Sequence, residues 1–351
     1  MRGFFPGATL ALCALAGCAT PGAHPEPAAA YSNPVIDADF PDPAVLKASD
    51  GFYYVYATQG GPDGAMRNIQ SARSRDLVQW DVLPDALPVK PAWASRTQDF
   101  WAPHVVEHDG RYIMYFSAKP DVALEDKTSG LCLAVATAER PEGPFHDMGK
   151  PLQCGPEFVN IDPMAFDDPA TGKKLLYWGS GFQPIKVREL GEDRMSFATG
   201  SVAKDLVPPI GTDEPANYSR LVEGAWVLRR GGYYYLFYSG DNCCGKGAHY
   251  AVMVARSRSA TGPFETLAQA TGSPNSVILE RYGYWVAPGH NSVIRDAGGQ
   301  DWMLYHAVDS RRPRANDSDE INTRRVMLID RIVWKDGWPT VATGAGRRPK
   351  P

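Results

Sequence analysis

GGYYYLFYSG, residues 231–240, puts a glycine pair ahead of six consecutive aromatic or aliphatic residues. Glycine suits the tight turn of a hairpin, and aromatic residues suit the strand that follows. The same design returns four more times: DGFYYVYAT (50–58), DGRYIMYFSA (109–118), TGKKLLYWGS (171–180) and GGQDWMLYHA (298–307). With Gly51, Gly110, Gly172, Gly232 and Gly299 as markers, the spacings are 59, 62, 60 and 67 residues. Three of the strands are followed by a second echo, IQSARSRDLVQW, LCLAVATAERPEGPF and YAVMVARSRSATGPF. A unit of this length holding several short strands is the signature of a propeller blade. The expectation is an all-β chain, a five-bladed β-propeller filling residues 31–345 as one domain. Two stacked β-sandwich domains would explain the strand content but not the five-fold period.

The chain has 351 residues and a net charge of −4, from 36 Lys+Arg against 40 Asp+Glu, with no long run of one sign. Nothing in that balance calls for nucleic acid or an anionic membrane surface as partner. At the N-terminus Arg2 precedes FFPGATLALCALAG, an apolar stretch too short for a membrane span and suited to export. It ends in LAGC (15–18), which resembles a bacterial lipoprotein cleavage box with Cys18 as the acylated first residue. An ordinary signal peptide cut near Ala19 is the alternative. The expected organisation is a signal peptide over 1–17, a Pro/Ala-rich tether over 18–30 and the propeller beyond. Such a protein is lipid-anchored to the bacterial envelope, in the periplasm or on the cell surface, and touches the membrane only through the lipid.

Upstream of each marker glycine stands the start of another strand: DPAVL from Asp42, APHVV from Ala102, DPMAF from Asp162, EGAWV from Glu223 and HNSVI from His290. These first residues lie 9, 8, 10, 9 and 9 positions before their markers, so each is expected at the same place on its blade's innermost strand. Innermost strands surround the central channel of a propeller, and equivalent positions converge on its axis. Pro41 and Pro43 hold Asp42 stiffly on both sides. Three carboxyls and a histidine gathered at one point repel and desolvate one another, which separates their pKa values. A pair so separated suits glycosidic bond hydrolysis, one carboxylate taking a proton from water and one carboxylic acid giving a proton to the departing sugar oxygen.

FPDPAV, DFWAPHVVEHDGRYIMYFSA, NIDPMAF, VEGAWVLRRGGYYYLFYSGDNCCGKG, ARSRSATGPF and APGHNSV together resemble glycoside hydrolase family 43, the five-bladed propeller arabinanases, arabinofuranosidases and xylosidases. The resemblance covers nearly the whole chain after residue 30. It implies Asp42 as general base, Glu223 as general acid and Asp162 as the group that raises and orients the acid. It implies inversion, with base and acid about 6.5–9.5 Å apart. It places His290 beside a calcium or other ion on the axis, held through waters, with no organic cofactor. Trp101 is expected to offer its indole to a sugar at the pit wall, with Phe40 and Trp285 as weaker candidates.

The endo-arabinanase branch fits best, on YYLFYSGDNCCGKG and on APGHNSV followed by YHAVD. Pro41, where endo-arabinanases usually carry histidine, and the VNIDP spacing leave exo-acting arabinofuranosidase or β-xylosidase action open. The expected partner is plant cell-wall arabinan or arabinoxylan, or its oligosaccharides, and the enzyme is expected to act as a monomer. A non-catalytic glycan-binding lipoprotein is the reading from another class, and a fructosidase or glycoside phosphorylase is a third. Four cysteines follow the export segment, at spacings that do not suit zinc. Cys132 opens a strand and Cys154 closes the next outer one, so a disulfide across that hairpin is expected. The adjacent Cys243 and Cys244 are expected to form a vicinal disulfide, the alternative being two small buried thiols.

Overall fold

The computed structural model describes residues 1, 3, 31–61, 63–211, 217–313 and 323–344. The proposed signal peptide, Cys18 and the tether lie outside the described residues, apart from Met1 and Gly3. Five antiparallel sheets follow one another along the chain. The first blade runs Ala44–Lys47, Tyr53–Ala57, Gln70–Ser74 and Asp81–Val82. The second runs Phe100–His108, Arg111–Ala118, Cys132–Ala138 and His146–Asp147, with Gln153–Cys154 returning to pair with its third strand. The third blade holds Met164–Asp167, Lys174–Trp178, Lys186–Glu189 and Lys204–Asp205. The fourth holds Val222–Arg230, Tyr233–Asn242, His249–Ser257 and Glu265–Thr266, with Val277–Leu279 added to its third strand. The fifth holds Trp285–Arg295, Asp301–Asp309, Arg325–Lys335 and Trp338–Ala342. The first strand of every blade packs against the first strands of both neighbours, which closes a five-membered ring around an axis.

The marker glycines make the first hairpin of each blade. All five have positive φ, from 72° at Gly110 to 87° at Gly51, a backbone that glycine alone enters without steric cost. The strands that follow carry the core. Tyr56, Tyr115 and Tyr177 are fully buried, and each hydroxyl donates to a backbone carbonyl, of Pro141, Arg194 and Ala260 respectively. Each ring removes its apolar area from water, for ~2–3 kcal/mol, without leaving its hydroxyl unpaired.

The ring is clasped by its own beginning. The strand Arg325–Lys335 pairs through Arg331–Lys335 with the last strand, which leaves one edge of its first half free. Residues 33–40 take that edge: Val35 N–H donates to the Met327 carbonyl, Met327 N–H to Ile36, and Phe40 N–H to Arg325. Asn33 and the Tyr31 hydroxyl extend the seam to Ile329 and Asp330.

The sulfurs of Cys132 and Cys154 lie 1.92 Å apart, across a directly paired position of two neighbouring strands. Those of Cys243 and Cys244 lie 2.27 Å apart in the hairpin between the second and third strands of the fourth blade.

Candidate active site

Each blade feeds the axis through one residue with left-handed backbone: Asp42 (φ 59°), Ala102 (47°), Asp162 (57°), Gly224 (63°) and His290 (46°). Non-glycine residues adopt this conformation rarely and at a cost of order 1–3 kcal/mol, so the surroundings must impose it. Here a latch from the preceding blade does so. The Asp42 N–H donates to His306 Nδ1 (3.1 Å), Ala102 N–H to Thr58 Oγ1 (2.8 Å), Asp162 N–H to Ser117 Oγ (3.1 Å) and His290 N–H to Ser239 Oγ (2.8 Å). The Gly224 N–H donates to Asp162 Oδ2 at 2.9 Å.

One expectation is corrected by this ring. The place equivalent to Asp42 in the fourth blade belongs to Gly224, and Glu223 stands one residue earlier, paired with Ser239 as Trp101 is paired with Ser117. Bulges between Trp101 and His104 and between Glu223 and Trp226 absorb an extra residue, so a constant count along the sequence does not keep constant register. Glu223 is half-buried, while Asp42 and Asp162 are buried.

Asp42 is the most densely held of the three. Thr58 donates its hydroxyl to Oδ2 at 2.5 Å, and Oδ1 lies 3.2 Å from Arg325 Nη1, 3.2 Å from His306 Nδ1 and 3.4 Å from His290 Nδ1. Burial alone would raise this carboxyl, but the charge of the Arg325 guanidinium holds it well below the ordinary carboxylate range. Burial pushes the His306 imidazole down to about 4, so it is neutral. Accepting the Asp42 N–H on Nδ1 leaves its proton on Nε2, which meets no partner among the described residues.

Asp162 and Glu223 form the opposite pole. Burial, then the charges of Glu223 and Asp42, raise Asp162 well above its ordinary value. Burial, opposed by the Tyr250 hydroxyl and reinforced by Asp42, pushes Glu223 up to about 7. Both carboxyls are thus pushed towards their protonated forms, the opposite of Asp42. Tyr250 donates to Glu223 Oε1 at 2.7 Å, and its ring stacks on His306 with centroids 5.8 Å apart. Gly289 makes room for that ring, since a Cβ there would fall 2.0 Å from Tyr250 Cδ1.

Below the carboxyls the axis narrows to a cavity of about 10 Å³, lined among others by His104, Asp162, His290 and Asn291, with room for roughly one water. The Asn291 side chain is buried, and neither its oxygen nor its nitrogen has a partner among the described residues. No group of three or more His, Cys, Asp or Glu among the described residues could ligate a metal directly. The described residues offer no direct ligand set for an ion, and His104, His290 and Asn291 are among the polar groups that line the cavity beside Asp162.

Trp101 is half-buried and stacks in parallel on Phe158, with centroids 5.9 Å apart and planes 9° apart, and Phe158 is half exposed. Phe40 and Trp285 are corrected. Phe40 is fully buried and Trp285 is 5% exposed, both within the main hydrophobic core, so neither can meet a sugar. Arg325, His306, Tyr250 and Thr58 were not expected from the sequence. They come from second and third strands and carry no motif of their own. One signal was available: Thr58, Ser117, Ser239 and His306 each stand seven residues after a marker glycine.

A five-bladed propeller whose axis sets one carboxyl held low by an arginine against two pushed up by burial has the opposed acid and base that glycoside hydrolysis needs. Residues 31–339 match the family model described as glycosyl hydrolases family 43, and the chain belongs to that family of inverting enzymes. It is 28% identical over 322 residues to the extracellular exo-α-(1→5)-L-arabinofuranosidase ArbA of Cellvibrio japonicus, covering 86% of each chain. It is 27% identical over 310 residues to the extracellular endo-α-(1→5)-L-arabinanase 1 of Bacillus subtilis, covering 85% of this chain and 86% of the relative. Its fold superposes with a TM-score of 0.69 on an exo-1,5-α-L-arabinanase from a bovine ruminal metagenomic library, at 25% identity, covering 89% of this chain and 99% of the other.

Proposed function

We propose that this enzyme hydrolyses α-L-arabinofuranosyl linkages of arabinan, with Asp42 as general base and Glu223 as general acid. The observation that carries this is the opposed state of the two groups, Asp42 held ionised by Arg325 and Glu223 pushed up to about 7. Asp42 takes a proton from a water that attacks the anomeric carbon. Glu223 gives its proton to the departing oxygen. Asp162, bonded to the N–H that follows Glu223, is tied to the backbone of the acid and orients it, while burial and the charge of Asp42 favour the acid's protonated form. An ion on the axis, held through waters by His290 and the Asn291 carbonyl, would fix the imidazole beside Asp42. It would supply positive potential there and break no bond.

Relatives named for α-(1→5)-arabinan support the linkage. The endo reading follows the motifs of the fourth and fifth blades. The exo reading is favoured by Pro41 and by the exo-acting relative. Products from linear arabinan, debranched arabinan, arabinoxylan and xylan decide: early short arabino-oligosaccharides for endo action, monosaccharide alone for exo action. Xylose as the main product would overturn the linkage, and no new reducing ends on any of the four would favour a glycan-binding lipoprotein. Both relatives are described as extracellular, which supports export, and LAGC supports a lipid on Cys18. Metabolic labelling with a radioactive fatty acid, lost in Cys18→Ala, would test the anchor.

A further inference from the structure

One residue per blade lies seven positions after the hairpin glycine: Thr58, Ser117, Gly179, Ser239 and His306. The strand pairing places Ser117, Ser239 and His306 across from Trp101, Glu223 and Gly289, each the residue just before the left-handed one of its own blade. Thr58 N–H donates to the Pro41 carbonyl at 3.1 Å and Gly179 N–H to the Ile161 carbonyl at 2.8 Å, so the two stand in equivalent places. Four of the five carry a polar side chain, and each uses it to accept the N–H of the left-handed residue in the next blade. The third blade breaks the series. Gly179 has no side chain, and the N–H that falls to its blade, that of Gly224, goes to the Asp162 carboxylate instead.

From this interruption the geometry points to Gly179 as a positioning residue for the acid. By leaving its slot empty it hands the Gly224 N–H to Asp162 and fixes that carboxylate beside Glu223. Gly224 directly follows Glu223 in the chain, so the bond ties Asp162 to the backbone of the acid itself. A side chain in the slot would compete for the same donor, as Ser117 and Ser239 do for theirs, and Asp162 would lose its anchor. The backbone also resists a side chain there: Gly179 has φ 125°, and a Cβ would fall 3.2 Å from the Pro184 carbonyl oxygen. That cost is common to any substitution, which makes alanine the control for serine.

The inference rests on Glu223 being the acid, and the choice of substrates separates the two. Nitrophenolate departs from a nitrophenyl glycoside without needing a proton, whereas an arabino-oligosaccharide cannot lose its leaving sugar unprotonated. On the oligosaccharide, Gly179→Ser should turn over about ten-fold more slowly than Gly179→Ala, the scale of one hydrogen bond to a charged group, with KM unchanged. On the nitrophenyl glycoside of the same sugar the two variants should agree. Equal kcat for serine and alanine on the oligosaccharide would overturn the inference, as would an equal serine deficit on both substrates. If neither variant folds, amide exchange at Gly224 decides: it should quicken about ten-fold or more in Asp162→Ala while Ala102 and His290 hold their rates. Unchanged exchange at Gly224 would overturn the inference. A wild-type enzyme inert on arabino-oligosaccharides would refute the substrate reading alone, and the amide measurement would still stand.

Discussion

Replacing Arg325 with methionine removes a full positive charge that faces the base. Arg325 Nη1 and Asp42 Oδ1 are 3.2 Å apart, with the two side chains only 16% and 10% exposed, so solvent screens the pair little. An opposite charge at this range lowers a carboxyl's pKa, and its loss should raise that of Asp42. Asp42 works as a base only above its pKa, so the acidic limb of kcat/KM should move to higher pH. The same guanidinium lowers Glu223 more weakly, and the alkaline limb, set by a group pushed up to about 7, should rise by less. The bell therefore narrows and shifts upward. The assay is kcat/KM on arabino-oligosaccharide across the acidic and neutral range, with a thermal melt beside it. An acidic limb that stays in place in a folded Arg325→Met enzyme would refute the assignment of Asp42 as the titrating base.

Tyr250→Phe removes the hydroxyl that donates to Glu223 and should raise the alkaline limb, because that bond favours the ionised acid; a limb moving downward would contradict it. Gly289→Ala drives a methyl into the Tyr250 ring and should lower kcat by about ten-fold or more through a displaced acid, with the loss read on oligosaccharide against nitrophenyl glycoside; a wild-type ratio on the two would exclude that route. Asp42→Asn and Glu223→Gln should each lose about 10²–10⁴ of turnover while melting as the wild type does, and near-normal rates in Glu223→Gln would remove the acid assignment. The double variant Cys132→Ser/Cys154→Ser should lose about 3 kcal/mol of stability by denaturant unfolding, the entropic scale for a bridge closing 22 residues, and peptide mapping without reductant should find the native pair joined.

The architecture was legible because its punctuation is chemical. A hairpin that needs positive φ calls for glycine, and a buried second strand calls for aromatics, so five blades announce themselves five times. The clasp at residues 33–40 was not legible, because its bonds are made by backbone groups that any sequence carries. In the site, Asp42 and Asp162 each stand two residues ahead of the first strand of their blade, but bulges displaced Glu223 by one position. A bulge is a property of strand pairing and leaves little trace in composition. Phe40 and Trp285 looked like sugar platforms by residue type alone, and their burial follows from which side of a strand faces the neighbouring blade. Arg325 was invisible for a simpler reason. It stands 283 residues from the aspartate it controls.

That distance gives the clasp a meaning beyond mechanical closure. The base belongs to the first blade, and both the latch on its N–H and the charge that keeps it ionised belong to the last. Until residues 306 and 325 have joined residues 33–42, Asp42 is a carboxyl on an unlatched strand end with no guanidinium beside it. A chain still emerging from the ribosome, or one nicked between the fourth and fifth blades and pulled apart, carries the carboxyls of an active enzyme without their assigned charges. Hydrolytic competence is thus the last property the ring acquires and the first it gives up on opening.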